Sequence, residues 1–178
     1  MSLLDKVEQF VINACSENHS DISHHQKTVY WIKKLKPEAE EALLIAGMSH
    51  DIERAFNGDW KAGSSDPAKL KKHQELSADE IEKFLEKEQA PKELIEKAIN
   101  LILHHEEGGT EDQNILCDAD CLAYFEEKSI KKAAKARAGG KSEEYRKKLD
   151  YLFNRIHSLE ARQIAQPLYD ASKKELRS

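Results

Sequence analysis

The sequence predicts an all-α helical bundle, and three observations carry that prediction. Apolar residues recur at the i, i+3, i+4 spacing of amphipathic helices in most segments of the chain. Only seven Gly and four Pro occur in 178 residues, too few for the turn-dense pattern of a sandwich. Apolar residues make up 39% and charged residues 34%, a balance that favours a globular chain over a disordered one. A chain of 178 residues is long enough to bury a core without disulfides or structural metal, so residues 1–178 are expected to form one domain.

Taken in order, Leu3, Leu4, Val7, Phe10, Val11 and Ala14 share one face of a first helix over 3–15. Asp21 or Ser23 then caps a second helix, in which Ile22, His25, Val29, Ile32 and Leu35 form a stripe that turns His25 inward. His24 points about 100° away from that stripe, and His19 precedes the helix. Pro37 opens a third helix holding the longest apolar run, Ala42 to Met48, and this helix ends by delivering His50 and Asp51 side by side. The polar stretch 57–66, with Trp60 and two glycines, reads as a loop that serves either as a lid or as a plain surface connection. Pro67 to Glu88 is a helix with His73 in register with Leu70 and Leu76. Pro91 opens another, through Leu94, Ile95, Ala98, Ile99, Ile102 and Leu103, that runs into His104-His105-Glu106-Glu107 and a Gly108-Gly109 stop. From Ile115 a further core helix carries Asp118 and Asp120 among apolar neighbours, and a closing helix is expected over Tyr151 to Leu168.

Charge narrows the function. The net charge of -5 gives no general attraction to nucleic acid. Residues 128–148 hold nine Lys or Arg against Glu143 and Glu144, but Tyr145 is the lone aromatic there, so stacking on single strands is not supported. That basic stretch is either a solvated face or a rim that attracts an anionic small molecule. No apolar run is long enough to cross a membrane, and Asp5, Lys6 and Glu8 interrupt any export signal, so a cytoplasmic protein is expected. Cys15, Cys117 and Cys121 are odd in number and lack CxxC spacing, which makes them buried small side chains rather than a disulfide or zinc framework.

Five segments each place an imidazole or carboxylate on or beside an apolar stripe: His25, His50-Asp51, His73, His104-His105 and Asp118/Asp120. Imidazole nitrogen with carboxylate oxygen and no thiolate suits Fe or Mn foremost, and also Co, Ni, Mg or Zn. The number of donors is enough for two ions sharing one carboxylate.

These residues resemble the HD-domain superfamily, whose pattern H…HD…D is matched here by His25, His50-Asp51 and Asp120 over roughly 20–126. Its local contexts are His25-x-x-x-Val29, the apolar run into His50-Asp51, and Asp118-Ala-Asp120-x-Leu122. The resemblance implies an HD-type bundle, with residues 128–178 packed on the motif core, and metal-dependent phosphohydrolysis. It implies Asp51 as the shared ligand, Asp120 rather than Asp118 as the last ligand, and His73 with His104 or His105 as the extra histidines of two-metal members. Arg54 is similar in position to a basic residue that contacts substrate in some members, whereas position 28 is Thr where many carry Arg. His104-His105-Glu106 resembles the opening of the HD-GYP signature, but no Gly-Tyr-Pro follows.

The expected activity is hydrolysis of a small phosphorylated metabolite or nucleotide. Asp51 and Arg54 are its catalytic residues, and Arg54, Lys131 and Lys135 its anion contacts. The alternatives are a mixed-valent di-iron oxygenase of the same superfamily and a non-catalytic nucleotide-binding regulatory domain.

Overall fold

Helix α1 (Leu3–Glu17) is closed at its start by a capping box, Ser2 accepting from the Asp5 amide and Asp5 accepting from the Ser2 amide. In this computed structural model the described residues are 1–18, 21–57 and 66–177, and all regular structure among them is helical. After α2 (Ile22–Leu35) come α3 (Glu41–Ser49) and the short α4 (Glu53–Asn57). Then follow α5 (Pro67–Lys87), α6 (Lys92–Ile102) and α7 (Glu111–Tyr124). A π-helical turn (Phe125–Ser129) joins α7 to α8 (Ile130–Ala138), and α9 (Ser142–Asn154) and α10 (Leu159–Glu175) end the chain.

Two boundaries differ from the expectation, each for a local reason. Pro37 lies in a turn and α3 starts at Glu41, because the chain first makes a turn in which the Ala39 amide donates to Lys36. The expected closing helix is two helices, since Ser158 caps α10 by accepting from the Ala161 amide and interrupts the spacing of Ile156 and Leu159. Pro167 then lies inside α10. Of the stretch 57–66, expected as a lid or surface loop, residues 58–65 lie outside the described residues, as does His19.

Two apolar clusters organise the packing. One gathers Val7, Val11, Ile32, Leu43, Ile45, Ile81, Ile102 and Leu116 from α1–α3 and α5–α7. The other gathers Leu122, Phe125, Leu149, Leu152, Ile156 and Ala165 from α7 to α10. Helix α7 runs through both, with Ala119 in the first and Cys121 in the second, so Asp120 stands at the seam. Helix α2 packs on both α3 and α7. The α2–α3 contact is close because Gly47 has no side chain: a Cβ there would collide with the Ile32 side chain. All three cysteines are buried. No helix among the described residues is long and apolar enough to cross a membrane.

Helix α2 starts at Asp21, whose carboxylate accepts from the Ser23 amide (3.0 Å) and hydroxyl (2.6 Å) and pairs with Lys128 (3.2 Å). Partial burial pushes the Asp21 carboxyl up, but the Ser23 hydrogen bonds and the Lys128 charge outweigh it and bring the pKa from 3.8 to about 2. A carboxyl lowered on folding stabilises the fold above its unfolded value, and that stabilisation fades as pH falls through the folded one. Asp21→Ala is therefore expected to lower the unfolding free energy by about 1 kcal/mol at neutral pH in urea denaturation. The deficit against wild type should shrink as pH is lowered from near 4 toward 2.

Candidate metal centre

Five imidazoles and two carboxylates meet where α2, the α3–α4 turn, α5, the end of α6 and α7 converge. The turn at His50 to Ile52 stops α3 and starts α4, with the Ile52 amide donating to Ser49 and the Arg54 amide to Asp51. This places adjacent residues of one turn in the same buried space, His50 fully buried and Asp51 4% exposed.

Hydrogen bonds aim the rings. His50 Nδ1 donates to the Gly47 carbonyl (3.0 Å) and His105 Nδ1 to the Ile102 carbonyl (2.7 Å). In both, Nε2 is left with its lone pair inward and no hydrogen-bond partner among the described residues. His73 Nδ1 donates to Glu53 Oε1 (2.7 Å), and its Nε2 lies 2.7 Å from Asp51 Oδ1. A backbone carbonyl or carboxylate holding the far nitrogen is how metal-ligating histidines are fixed.

Asp51 divides its oxygens between two groups. Oδ2 faces His24 Nε2 (3.8 Å) and His50 Nε2 (3.9 Å), while Oδ1 faces His73 Nε2 (2.7 Å) and His105 Nε2 (3.8 Å). The donor atoms of His24, His50 and Asp51 lie within 4.8 Å of one another, as do those of Asp51, His73 and His105, so each group could hold an ion. Asp120 Oδ1 adjoins the first group, 3.0 Å from His24 Nε2 and 3.5 Å from His50 Nε2. The donor set fits a divalent transition metal: nitrogen and oxygen only, buried, with unpaired imidazole lone pairs converging on acids.

The charges are mutually dependent. Burial alone would push the Asp51 carboxyl up, but Arg54 Nη1 at 2.8 Å, His50 and His73 hold it well below the carboxylate range. Burial is likewise outweighed at Asp120, by the adjacent His24 and His50 imidazoles and by the Arg155 charge. Burial pulls His73 down, but Asp51 and the hydrogen bonds to Asp51 and Glu53 raise it from 6.5 to about 9. Burial dominates at His105, held well below 6.5 with help from the His50 and His73 charges, and at His25, brought down to about 3.

Expected and observed placements differ at four residues. His25 is buried and its ring lies 5.7 Å from that of His50, yet it joins neither group; His24 stands beside Asp120 instead. Helix α2 is covered on two sides, by α3 and α7, so a residue about 100° from the apolar stripe is also buried, on the α7 side. His104 is exposed, its Nδ1 donating to the Asn100 carbonyl (2.8 Å), and His105 takes the inward position. Lys131 and Lys135 are exposed, whereas Lys132 and Lys148 sit over the Tyr124 ring, at 5.5 and 4.9 Å from its centroid.

Three partners of the cluster escape a reading by motif. Glu53, fully buried, holds His73. Glu106 places Oε1 3.7 Å from His105 Nε2. Arg155, from the turn after α9, joins Glu106 Oε2 (3.1 Å) to Asp120 Oδ2 (3.3 Å) and donates to the carbonyls of His105 and Glu106, both at 3.0 Å. The Glu that follows His105 is visible in the sequence as a charge after an apolar helix. Nothing local to Arg155 announces its role. Asp118, set aside as a supporting residue, accepts from the amides of His157 (2.6 Å) and Ser158 (3.0 Å) and so fixes the turn that carries Arg155.

A family model described as HD domain matches residues 21–165, and the chain belongs to that family. Comparison with curated proteins and with solved structures returns no match. Such a buried His and Asp cluster in an HD domain suits divalent metals.

The two groups make a prediction about metal retention. His24→Ala and His105→Ala should each lose bound Mn²⁺ in equilibrium dialysis, while His104→Ala should retain the wild-type amount. Glu53→Gln should weaken the Asp51, His73, His105 group by about 10- to 100-fold, the effect of loosening a ring's far hydrogen bond.

Proposed function

We propose that the chain is a metal-dependent phosphohydrolase acting on a small phosphorylated metabolite or nucleotide. The reading rests on one observation: Asp51 turns one oxygen to each of two His-containing groups, the arrangement that two ions with a shared carboxylate require. His24, His50, Asp51 and Asp120 would hold one ion, and Asp51, His73 and His105 the other. Two divalent ions bound there would supply Lewis acidity, acidifying water and withdrawing charge from phosphoryl oxygens.

This chain's residues do the positioning. Arg54, on the α4 turn with its side chain 38% exposed, reaches from Asp51 toward solvent and is placed to meet an anion entering the centre. Glu53 holds His73 Nδ1 and so turns Nε2 toward Asp51, where it would meet an ion. Arg155 neutralises Asp120 and Glu106 from behind and fixes the backbone that carries His105. Because α7 belongs to both apolar clusters, we also read residues 1–178 as one unit.

A second reading has specific support. Four His (His24, His50, His73, His105) and two Asp (Asp51, Asp120) are also the donor set of a mixed-valent di-iron oxygenase. The readings part in the presence of oxygen. Phosphate release from phosphomonoesters, stimulated by Mn²⁺ or Co²⁺ under anaerobic conditions and lost in Asp51→Asn, is the expected outcome. A coupled di-iron signal with turnover only in oxygen would instead favour the oxygenase.

A further inference from the structure

Arg155 sits between two acids and holds each by one oxygen, Nη2 at 3.3 Å from Asp120 Oδ2 and Nη1 at 3.1 Å from Glu106 Oε2. A guanidinium is planar and donates along fixed directions, so it orients both carboxylates at once and leaves the second oxygen of each for another partner. On Asp120 that oxygen is Oδ1, which meets the imidazoles of the first group, 3.0 Å from His24 Nε2 and 3.5 Å from His50 Nε2. On Glu106 it is Oε1, which meets an imidazole of the second group, 3.7 Å from His105 Nε2. The two acids are placed alike, one toward each group.

The approach of Glu106 to His105 is not a hydrogen bond. A separation of 3.7 Å is too long for one. His105 Nδ1 carries the ring proton, since its partner at 2.7 Å is the Ile102 carbonyl, which only accepts. His105 Nε2 is buried and has no hydrogen-bond partner among the described residues. An imidazole lone pair therefore faces a carboxylate oxygen of a residue that is only 8% exposed. Two such electron-rich atoms repel each other where little water screens them, and a cation between them turns the repulsion into attraction. The distance agrees. Donors about 2.1 Å from a shared ion stand about 3.0 Å apart when adjacent and about 4.2 Å apart when opposite. The Glu106 separation falls inside that interval, as does the 3.8 Å from His105 Nε2 to Asp51 Oδ1 within the second group.

We propose that Glu106 Oε1 is a ligand of the second ion, the counterpart of Asp120 at the first. Each ion then receives two imidazoles, the shared Asp51 and one carboxylate of its own, and Arg155 joins the two unshared carboxylates from behind. The proposal deepens the two-ion reading and rests on it for the presence of the second ion. It is independent of which reaction the centre performs.

The test uses the full chain and Mn²⁺. In wild-type crystals grown with Mn²⁺, Glu106 Oε1 is expected within about 2.5 Å of the ion flanked by His73 and His105. In solution, calorimetry should show two ions bound by wild type. Glu106→Gln keeps an amide oxygen for Arg155 but removes the charged ligand, and should weaken the second ion by about 100-fold while leaving the first within about twofold. Asp120→Asn should do the reverse. A Glu106 that served only to hold Arg155 would, in Glu106→Gln, weaken both ions together, because Arg155 also holds Asp120; that result, or no change in either ion, overturns the assignment. A second ion in the crystal with Glu106 Oε1 turned away from it overturns the assignment and leaves the two-ion reading standing. A filled first position with no ion between His73 and His105 removes both.

Discussion

Asp51 carries a charge where only 4% of the residue is exposed, and a buried carboxylate costs several kcal/mol unless cations and hydrogen bonds surround it. Arg54 and His73 provide part of those surroundings, and an ion held by the inward nitrogens of His24, His50 and His105 would complete them. Much of the architecture serves that convergence. Gly47 lets α2 approach α3, which brings the histidines of α2 to His50. Gly108, at φ 75, makes the turn that ends the segment of His105 and Glu106 before α7 begins. The Asp118 carboxylate secures the α9–α10 turn and with it Arg155.

The centre is also polarised in layers. Inward imidazole nitrogens face acids, and those acids are backed by Arg54 on one side and Arg155 on the other. The histidines' far nitrogens are tied where the fold offers acceptors: the carbonyls of Gly47 and Ile102 and the carboxylate of Glu53. Since a helix end leaves its last carbonyls without intrahelical partners, ending α3 and α6 just before His50 and His105 supplies two of these acceptors directly. Helix termination and ring orientation are thus one event, and this is the physical link between the apolar helices and the chemistry they carry.

How far the sequence discloses this arrangement depends on the range of the forces involved. The all-helical class, the His50-Asp51 turn and the burial of His73 follow from local spacing, and the structure has them. His24 and His25 were separated by an apolar stripe that registers only the α3 side of α2, whereas α2 is also covered by α7. Arg155 acts on Asp120 across 35 positions, and the break that places it is hidden because Ile156 and Leu159 continue an acceptable apolar spacing. Local periodicity reports which residues enter the interior, but the choice between two neighbouring interior residues is made by the helices that pack on them.

The most direct measurement of the central claim is an anomalous-difference map from crystals grown with Mn²⁺. The account predicts scattering peaks on both sides of the Asp51 carboxylate, one bounded by His24, His50 and Asp120 and the other by His73 and His105. A map with no peak within coordination distance of Asp51, in crystals whose solution-state protein binds the ion, would contradict it.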